Sequence, residues 1–255
     1  MSTKLIYQPS KRAGEYSKLA VNLYFGCTHK CLYCYNKKDR YGRYTEYDFH
    51  NNPKPKERPY SLLKKLHEEC KKTSRINGPI MQSFTCDPYQ PLDEEHELTR
   101  SAIVIIKENG LNVRLLTKAG ELPQRDFDLL DENDFVGATL TLSNDEDSKK
   151  WEPEAALPHE RIEMLRAAKE AGISTWVSME PVIDTGQTLE LIRRTHSFVD
   201  FYWVGKMNDA KHEKEININW AQFAKGAVSA LERYGCNYRL KEGLRKIYEN
   251  AEANG

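Results

Sequence analysis

Residues 26–35 read GCTHKCLYCY, and this short run decides how the rest of the chain is interpreted. Cys27, Cys31 and Cys34 follow one another with the spacing CX3CX2C, directly after the run Val21–Gly26, which predicts a β-strand. The other three cysteines are scattered and share no ligand spacing: Cys70, Cys86 and Cys236. Because a disulfide framework is distributed through a short secreted chain, the crowded triplet indicates a thiolate site in a reducing compartment.

Three thiolates at this spacing have two chemical interpretations. They can hold three irons of a [4Fe–4S] cluster and leave the fourth iron open to another ligand. Alternatively, they form a zinc knuckle with His29 or Cys70 as the fourth ligand, although zinc sites usually pair two CX2–4C units. The predicted strand before the run favours the cluster, since loops at the C-terminal ends of barrel strands build active sites.

Strand-like and helix-like runs alternate along the rest of the chain. The predicted strands are Val21–Gly26, Ile80–Thr85, Val113–Lys118, Phe135–Ser143, Ser174–Val182 and Phe198–Met207. The predicted helices are Pro59–Thr73, Asp93–Asn109, Gln124–Asp131, Pro158–Ala171, Thr188–Thr195, Trp220–Tyr234 and Lys241–Ala251. Six βα units in a row predict an α/β fold with a parallel sheet.

Six strands are too few for a closed eight-stranded barrel, so the predicted architecture is an open (β/α)6 partial TIM barrel. It covers residues 21–207, after an N-terminal segment 1–20 and before a short C-terminal helical extension, 208–255. A flat doubly wound sheet is the alternative, but no GxGxxG follows the first strand.

Composition indicates an ordinary cytoplasmic protein of 255 residues with zero net charge. No apolar run approaches the roughly 20 residues of a membrane span, and the N-terminus lacks the apolar core of a signal peptide. Charge is nonetheless uneven: residues 1–75 carry 17 basic and 7 acidic side chains, against 21 and 31 in the remainder. The basic third either meets a phosphate-bearing partner or pairs with the acidic remainder.

Several further stretches resemble the spore photoproduct lyase-like branch of the radical S-adenosylmethionine (SAM) superfamily. They lie at or just after the predicted strand ends, in this order: Cys27–Tyr35, Thr85–Pro91, Leu116–Lys118, Thr141–Ser143, Trp151–Pro153, Pro158–Arg161 and Glu180–Pro181. The resemblance implies a [4Fe–4S] cluster on Cys27, Cys31 and Cys34 whose open iron chelates SAM. It also implies reductive cleavage of SAM to a 5′-deoxyadenosyl radical that abstracts hydrogen from a substrate. The electron would come from reduced ferredoxin or flavodoxin.

The resemblance assigns SAM contacts to seven residues. Tyr33 would pack on the adenine, while Asp87 and the Thr85 hydroxyl would accept from the SAM amino group. The remaining four would touch or support the SAM carboxylate and ribose: Lys118, Ser143, Glu152 and Arg161. Strand alternation supports a polar row of Thr139, Thr141 and Ser143 inside the barrel. Without the resemblance, Lys118 and Arg161 would be interpreted as surface charge.

Two candidate catalytic residues depart from spore photoproduct lyase. The hydrogen-donating cysteine of that enzyme aligns with Phe84, and Cys86 lies two residues later. Cys86 is therefore either a hydrogen donor or a plain buried cysteine. Glu180 stands where the lyase has a small residue, which predicts a carboxylate in the substrate pocket. The dimer-repair reaction is accordingly not carried over to this chain.

The segment Tyr35–Tyr60 alternates aromatic and basic side chains, a pattern that holds flipped or single-stranded bases. Its members are Tyr35, Lys37, Lys38, Arg40, Tyr41, Arg43, Tyr44, Tyr47, Lys54, Lys56, Arg58 and Tyr60. One hypothesis is a nucleic acid or nucleotide substrate, and the alternative is a small metabolite or peptide with this loop as a lid. A third, non-catalytic alternative is a zinc-stapled nucleic-acid-binding module.

Overall fold

The computed structural model describes residues 4–37, 39, 41–73 and 78–253. Nine strands are described: β1 (Leu19–Val21), β2 (Tyr24–Phe25), β3 (Lys54–Pro55), β4 (Ile80–Gln82), β5 (Val113–Thr117), β6 (Phe135–Thr139), β7 (Ser174–Met179), β8 (Phe201–Val204) and β9 (Tyr238–Leu240). Seven of them form one parallel sheet in the order β1-β4-β5-β6-β7-β8-β9. The other two, β2 and β3, form a separate antiparallel pair.

Helices provide the crossovers that parallel strands require. The described α-helices are α1 (Lys11–Gly14), α2 (Glu46–Asn51), α3 (Pro59–Cys70), α4 (Leu92–His96), α5 (Leu98–Glu108), α6 (Asp145–Trp151), α7 (Pro158–Glu170), α8 (Thr185–Thr195), α9 (Ala210–Ile216), α10 (Trp220–Arg233) and α11 (Glu242–Ala253). Two 3-10 helices cover Tyr35–Lys37 and Leu122–Leu129, the second where an α-helix over Gln124–Asp131 is predicted.

The predicted partial barrel is confirmed, with one strand more than the sequence indicates. The segment predicted as a helical extension contains β9, which pairs in parallel with β8 through Tyr202 and Tyr238. A strand of three residues is too short to show a period of two, so the sequence conceals it. The boundaries at residues 20 and 207 stay predictions.

The first predicted strand, Val21–Gly26, is divided in the structure. Only Val21 belongs to the parallel sheet, because the Asn22 side-chain oxygen accepts the backbone N–H groups of Phe84 and Thr85 at 2.8 and 3.1 Å. The chain then leaves the sheet and enters β2. This early exit turns the cysteine run away from the sheet and over its C-terminal edge.

The two faces of the sheet carry different cores. The outer face packs Val21, Ile80, Leu115 and Val177 against the helices. The inner face holds a separate aromatic cluster built on Tyr16, Ala20, Met81, Trp176 and Trp203. Because strand side chains alternate, this inner cluster fills the barrel below the strand ends and leaves the polar groups at those ends to form the site.

Within the described residues, helices that combine the length and the apolar character needed to cross a membrane are absent.

Candidate active site

The cysteine run begins at Gly26, a position where any other residue would be strained. Gly26 has φ +81°, a conformation that side chains disfavour. A Cβ there would lie 2.6 Å from the Phe49 carbonyl oxygen and 3.0 Å from the Cα of Pro53. The same Phe49 oxygen accepts the N–H of Cys27 at 2.9 Å. The backbone of α2 thus lies directly against the first cysteine.

Local sequence explains why α2 forms at this place. Thr45 caps the helix by accepting the N–H of Asp48 at 3.1 Å, while the Asp48 carboxylate accepts the N–H of Thr45 at 3.0 Å. This reciprocal capping box fixes the first turn. The buried His50 ring then binds the carbonyl of Cys27 through Nδ1 at 2.9 Å.

The cysteine run is held from two other directions as well. The buried Gln90 side chain, in the loop after β4, donates to the Gly26 carbonyl at 3.1 Å. On the opposite side, the N–H of Leu32 donates to the carbonyl of Trp151 at 2.9 Å, at the end of α6. The run is therefore a rigid loop fixed by three separate parts of the fold.

The three thiols of this loop are largely enclosed. Burial raises the pKa of Cys27 well above the usual range, raises that of Cys31 to about 12 and also raises that of Cys34. A metal ion reverses this preference, because a coordinating thiol is deprotonated outright. Three free thiols in one rigid loop fit the donor set of an iron–sulfur cluster.

The alternative of a single zinc ion needs donor side chains that converge on one point. Among the described residues, no three Cys, His, Asp or Glu side chains converge closely enough to hold one metal ion. Cys70 packs in the outer core at the end of α3, and His29 Nδ1 lies 3.4 Å from Asp87 Oδ2. Its place in the outer core disfavours Cys70 as a fourth zinc ligand, whereas thiolates of a cluster bind separate irons and need not converge on one ion.

Asp87 is a firmly anchored carboxylate beside the cysteine loop. It accepts the Thr117 hydroxyl at 2.7 Å, the N–H of Lys118 at 2.7 Å and the N–H of Tyr89 at 2.9 Å. Burial lowers the pKa of His29, which keeps that neighbouring ring neutral. The ends of β4 and β5 thus hold Asp87 in one orientation.

A second buried network joins Tyr33 to the end of β6. Glu152 Oε1 accepts hydrogen bonds from the Tyr33 hydroxyl and from the Thr141 hydroxyl, the latter at 3.0 Å. Glu152 Oε2 lies 2.6 Å from Arg161 Nη1. Burial alone would raise the pKa of Glu152, but the cations of Arg161 and Lys118 outweigh it and lower that pKa. Glu152 is therefore ionised in the interior.

Arg161 keeps one donor unused in this network. Its Nε donates to the Ala156 carbonyl at 2.8 Å and its Nη1 to the Thr139 carbonyl at 3.0 Å, whereas the buried Nη2 has no hydrogen-bond partner. The Thr85 hydroxyl is likewise buried without a partner. Unpaired buried polar groups are costly, so both are candidates to bind a ligand or an ordered water.

Lys118 stands between the cysteines and the Glu152 network. Its ammonium lies 5.6 Å from the centre of the Tyr33 ring. Burial acts to lower the pKa of Lys118, but the neighbouring Cys31 and Glu152 outweigh it and raise that pKa. Ser143 lies four residues after the end of β6, where its N–H donates to the Gln187 side-chain oxygen at 2.8 Å.

Glu180 belongs to a different cluster at the end of β7. Its Oε2 accepts the Tyr16 hydroxyl at 2.8 Å and lies 3.3 Å from the Lys241 ammonium, while Oε1 accepts from Asn208 at 2.9 Å. Burial and the Glu180 charge raise the pKa of Tyr16 well above the usual range, so Tyr16 is a donor. The Glu180 carboxyl group is consequently held by three partners at the end of β7.

Cys86 lies in the loop after β4 with its thiol 3.4 Å from the Ser83 hydroxyl. Burial raises the pKa of Cys86 to about 11. The side chain is thus a neutral thiol close to the cysteine loop. Its use as a hydrogen donor stays a prediction.

The aromatic-basic segment borders the barrel mouth. The Tyr35 hydroxyl donates to the Phe84 carbonyl at 2.6 Å, in the loop after β4. In the part of the chain that the structure describes, the large apolar or aromatic side chains that are exposed are Leu32 and four tyrosines of this segment, Tyr35, Tyr41, Tyr47 and Tyr60. Two of the predicted basic members, Lys38 and Arg40, lie outside the described residues.

The sequence of residues 21–199 matches the family model described as the Radical SAM superfamily. The chain belongs to the radical SAM superfamily. It is a radical SAM enzyme, and it resembles the spore photoproduct lyase-like branch. The superfamily uses SAM together with an iron–sulfur cluster.

Two relatives show how this radical SAM chain compares in sequence. An uncharacterized protein of Methanocaldococcus jannaschii is 29% identical over 238 residues, covering 89% of this chain and 85% of the relative. The Radical SAM Nalpha-GlyT isomerase of Pseudomonas phage M6 is 26% identical over 165 residues, covering 64% of this chain and 34% of the isomerase.

Solved structures share the fold of this radical SAM enzyme at low identity. A spore photoproduct lyase double mutant with bound AdoMet and dinucleoside spore photoproduct has a TM-score of 0.68 at 12% identity, covering 92% of this chain and 79% of the lyase. SuiB of Streptococcus suis bound to S-adenosylmethionine has a TM-score of 0.64 at 12% identity, covering 91% of this chain and 52% of SuiB. At such identities the likeness concerns the fold.

Several residues of this radical SAM site are not predicted from the sequence. Tyr16 and Lys241 hold Glu180, Thr117 and His29 hold Asp87, and Gln90 and His50 hold the cysteine loop. Among them, only Thr117 could have been found from its sequence neighbours, because its hydroxyl side chain stands next to the predicted site residue Lys118 at the end of a strand. The others join segments that are distant along the chain.

Proposed function

We propose that this radical SAM enzyme holds a [4Fe–4S] cluster on Cys27, Cys31 and Cys34 and cleaves SAM reductively, with a nucleic acid or nucleotide as substrate. When bound, the cluster supplies the electron that cleaves SAM to methionine and a 5′-deoxyadenosyl radical, which abstracts hydrogen from the substrate. The rigid CX3CX2C loop at the C-terminal edge of β1 supports the first part of this proposal.

The chain's own residues would bind and orient SAM. Asp87 would accept from the SAM amino group, because its fixed carboxylate stands beside the cysteine loop, and Thr85 would do so through its unpaired hydroxyl. Arg161 would bind the SAM carboxylate through its unused Nη2, with Glu152 fixing the guanidinium. Lys118 would add positive charge near this carboxylate.

Two further SAM contacts have separate supports. Tyr33 would pack on the adenine, with its hydroxyl held by Glu152. Ser143 would reach the ribose from the loop after β6, a role that rests on the resemblance.

The catalytic candidates Glu180 and Cys86 would face the substrate at the barrel mouth. Glu180, held by Tyr16 and Lys241, would accept a hydrogen bond from the substrate. Cys86 would return a hydrogen atom to the product radical, for which its neutral thiol has the required S–H bond. Both roles depend on the proposed substrate pocket.

The exposed tyrosines carry the proposal of a nucleic acid substrate. Tyr35, Tyr41, Tyr47 and Tyr60 are exposed within one segment, and rings beside cations bind unstacked bases. Tyr41 is 81% exposed and lies under the Arg43 guanidinium, 5.2 Å from the ring centre. Tyr35 of the same segment donates to the Phe84 carbonyl in the loop after β4. The isomerase relative comes from a phage. Its name does not say whether its substrate is a nucleic acid.

Binding of single-stranded DNA tests this substrate class. We expect the reconstituted protein to bind a fluorescent 12-nucleotide DNA, and Tyr41→Ala or Arg43→Ala to weaken binding about tenfold, since stacking contributes about 1–3 kcal/mol per base. Tyr41→Phe keeps the ring and is the matched control that should bind normally. Equal affinity of all four proteins, or no binding by any of them, would instead favour a small metabolite or peptide with the segment as a lid.

A further inference from the structure

The loop after β4 carries both a proposed SAM contact and a clamp on the cysteine loop. Asp87 is followed three positions later by Gln90, whose side chain is completely buried. The Gln90 amide nitrogen donates to the Gly26 carbonyl at 3.1 Å, and its amide oxygen accepts the N–H of Thr28 at 3.3 Å. One side chain therefore holds the two peptide groups that flank Cys27.

The two loops also meet through Asp87 itself. His29, between the first two cysteines, places its Nδ1 atom 3.4 Å from Asp87 Oδ2, and both side chains are buried. The short stretch from Asp87 to Gln90 thus contacts the cysteine loop at both of its ends. A displacement of either loop would change the position of the Asp87 carboxylate relative to Cys27.

The middle of the same loop is anchored to the helical layer. The buried Tyr89 hydroxyl donates to Asp126 Oδ2 at 3.0 Å, in the 3-10 helix Leu122–Leu129. Asp126 Oδ1 in turn accepts from Arg100 Nη1 of α5 at 3.0 Å. The loop after β4 is therefore fixed from below, which gives Gln90 a firm base from which to hold the cysteine loop.

We propose that Gln90 is a positioning residue for the radical SAM reaction, and that it fixes Cys27 relative to Asp87 so that SAM can engage the cluster and the carboxylate together. The inference rests on the proposed function, because it requires a cluster on the cysteine loop and SAM at Asp87. Gln90 acts through the backbone of both loops and touches neither SAM nor iron. Partners that orient metal ligands in this way typically change metal affinity or activity by roughly 10–100-fold when they are mutated.

Hydrogen exchange on the metal-free protein tests the clamp independently of the cluster. The two contacts need a donor and an acceptor on one planar group, which methionine lacks although its shape is similar. We expect Gln90→Met to make the Thr28 amide exchange about tenfold faster, the size expected for the loss of one hydrogen bond. Asn109→Leu is the matched control, because it removes a partly buried amide that donates to the Ile105 carbonyl at 2.8 Å at the end of α5. It should leave the Thr28 amide unchanged, and an unchanged rate in Gln90→Met would overturn the inference.

The reconstituted protein then tests the positioning role. We expect the Kd for SAM, followed by the electron paramagnetic resonance spectrum of the reduced cluster, to rise about tenfold in Gln90→Met, while kcat at saturating SAM changes less. Asn109→Leu should keep the normal Kd. Gln90→Asn keeps the amide but is one methylene shorter, and it serves for the same measurement if Gln90→Met loads too little iron.

Two outcomes separate a failure of this inference from a failure of the proposed function. If the Gln90 variants lose thermal stability but bind SAM normally at full iron content, Gln90 is only structural and the inference is overturned. A protein whose Thr28 amide depends on Gln90, but which forms no 5′-deoxyadenosine, would instead refute the proposed function and with it the role of Gln90 in the reaction, while the contact between the loops would stand.

Discussion

Replacing Gly26 by alanine should separate the geometry of the cysteine loop from general stability. The left-handed conformation at φ +81° costs a side chain roughly 1–2 kcal/mol. The added Cβ would also lie 2.6 Å from the Phe49 oxygen and 3.0 Å from Pro53 Cα, both backbone atoms that cannot yield by changing a rotamer. Such overpacking adds about 1–3 kcal/mol, so we expect a total loss of about 3–4 kcal/mol.

Gly172→Ala is the matched control for this change. Gly172 has φ +79° but no atom within 4 Å of its ideal Cβ, so it should lose only the conformational cost of about 1–2 kcal/mol. At roughly 2–4 °C per kcal/mol for a domain of this size, the apo-protein Tm should fall by about 10 °C for Gly26→Ala and about 4 °C for Gly172→Ala.

Iron and sulfide content after anaerobic reconstitution provides the second measurement. The methyl group of Gly26→Ala presses on the carbonyl that accepts the Cys27 N–H, so this variant should bind less iron than Gly172→Ala at a temperature where both are folded. If the two variants lose the same stability and load the same iron, the close contact with α2 does not position Cys27, and the description of the loop is wrong.

Three further predictions concern the buried charges. Arg161→Met should lower the free energy of unfolding, measured by urea denaturation, by about 3–5 kcal/mol because it leaves Glu152 ionised without its cation. The double variant Arg161→Met/Glu152→Gln should recover part of this loss. A loss below about 1 kcal/mol in the single variant would contradict the network. The folded-state pKa of Glu152 lies below the ordinary glutamate value of 4.5. The ionised Glu152 carboxylate therefore stabilises the folded protein above that pH, and this stabilisation is lost as the pH falls through the folded-state pKa. The Tm advantage of the unaltered protein over Glu152→Gln should therefore shrink between about pH 6 and pH 3, and a constant difference would refute the assignment. Lys241→Met should destabilise the protein by about 2–4 kcal/mol and Lys241→Met/Glu180→Gln by less, whereas additive losses would show that the two residues are not coupled.

The sequence predicts the parts of the site that are local or that lie at strand ends. The cysteine run follows the first strand, and Thr139 of the predicted polar row lies in β6, whereas Thr141 and Ser143 lie beyond the end of that strand. The position of Asp87 after β4 follows from the resemblance. The resemblance also anticipates that Glu152 supports Arg161, and the structure places their charged groups 2.6 Å apart.

The remaining features depend on contacts between distant segments. Lys241 reaches Glu180 from the position directly after β9, a strand too short to be predicted, and it also donates to the Arg12 carbonyl near the N-terminus. His50 lies in the segment Tyr35–Tyr60, at a position where the sequence predicts no helix, although the capping box of Thr45 and Asp48 is visible in the sequence. Sequence separation, not residue type, concealed these residues.

Anaerobic SAM cleavage tests the central claim most directly. The protein is reconstituted with iron and sulfide, mixed with SAM and dithionite, and assayed for 5′-deoxyadenosine by mass spectrometry. The unaltered protein and Cys236→Ala, which removes a thiol outside the loop, should both form the product. Cys27→Ala/Cys31→Ala/Cys34→Ala should bind no cluster and form none. A protein that forms no product and instead holds one zinc ion per chain, or a triple variant that cleaves SAM at the normal rate, would contradict the account.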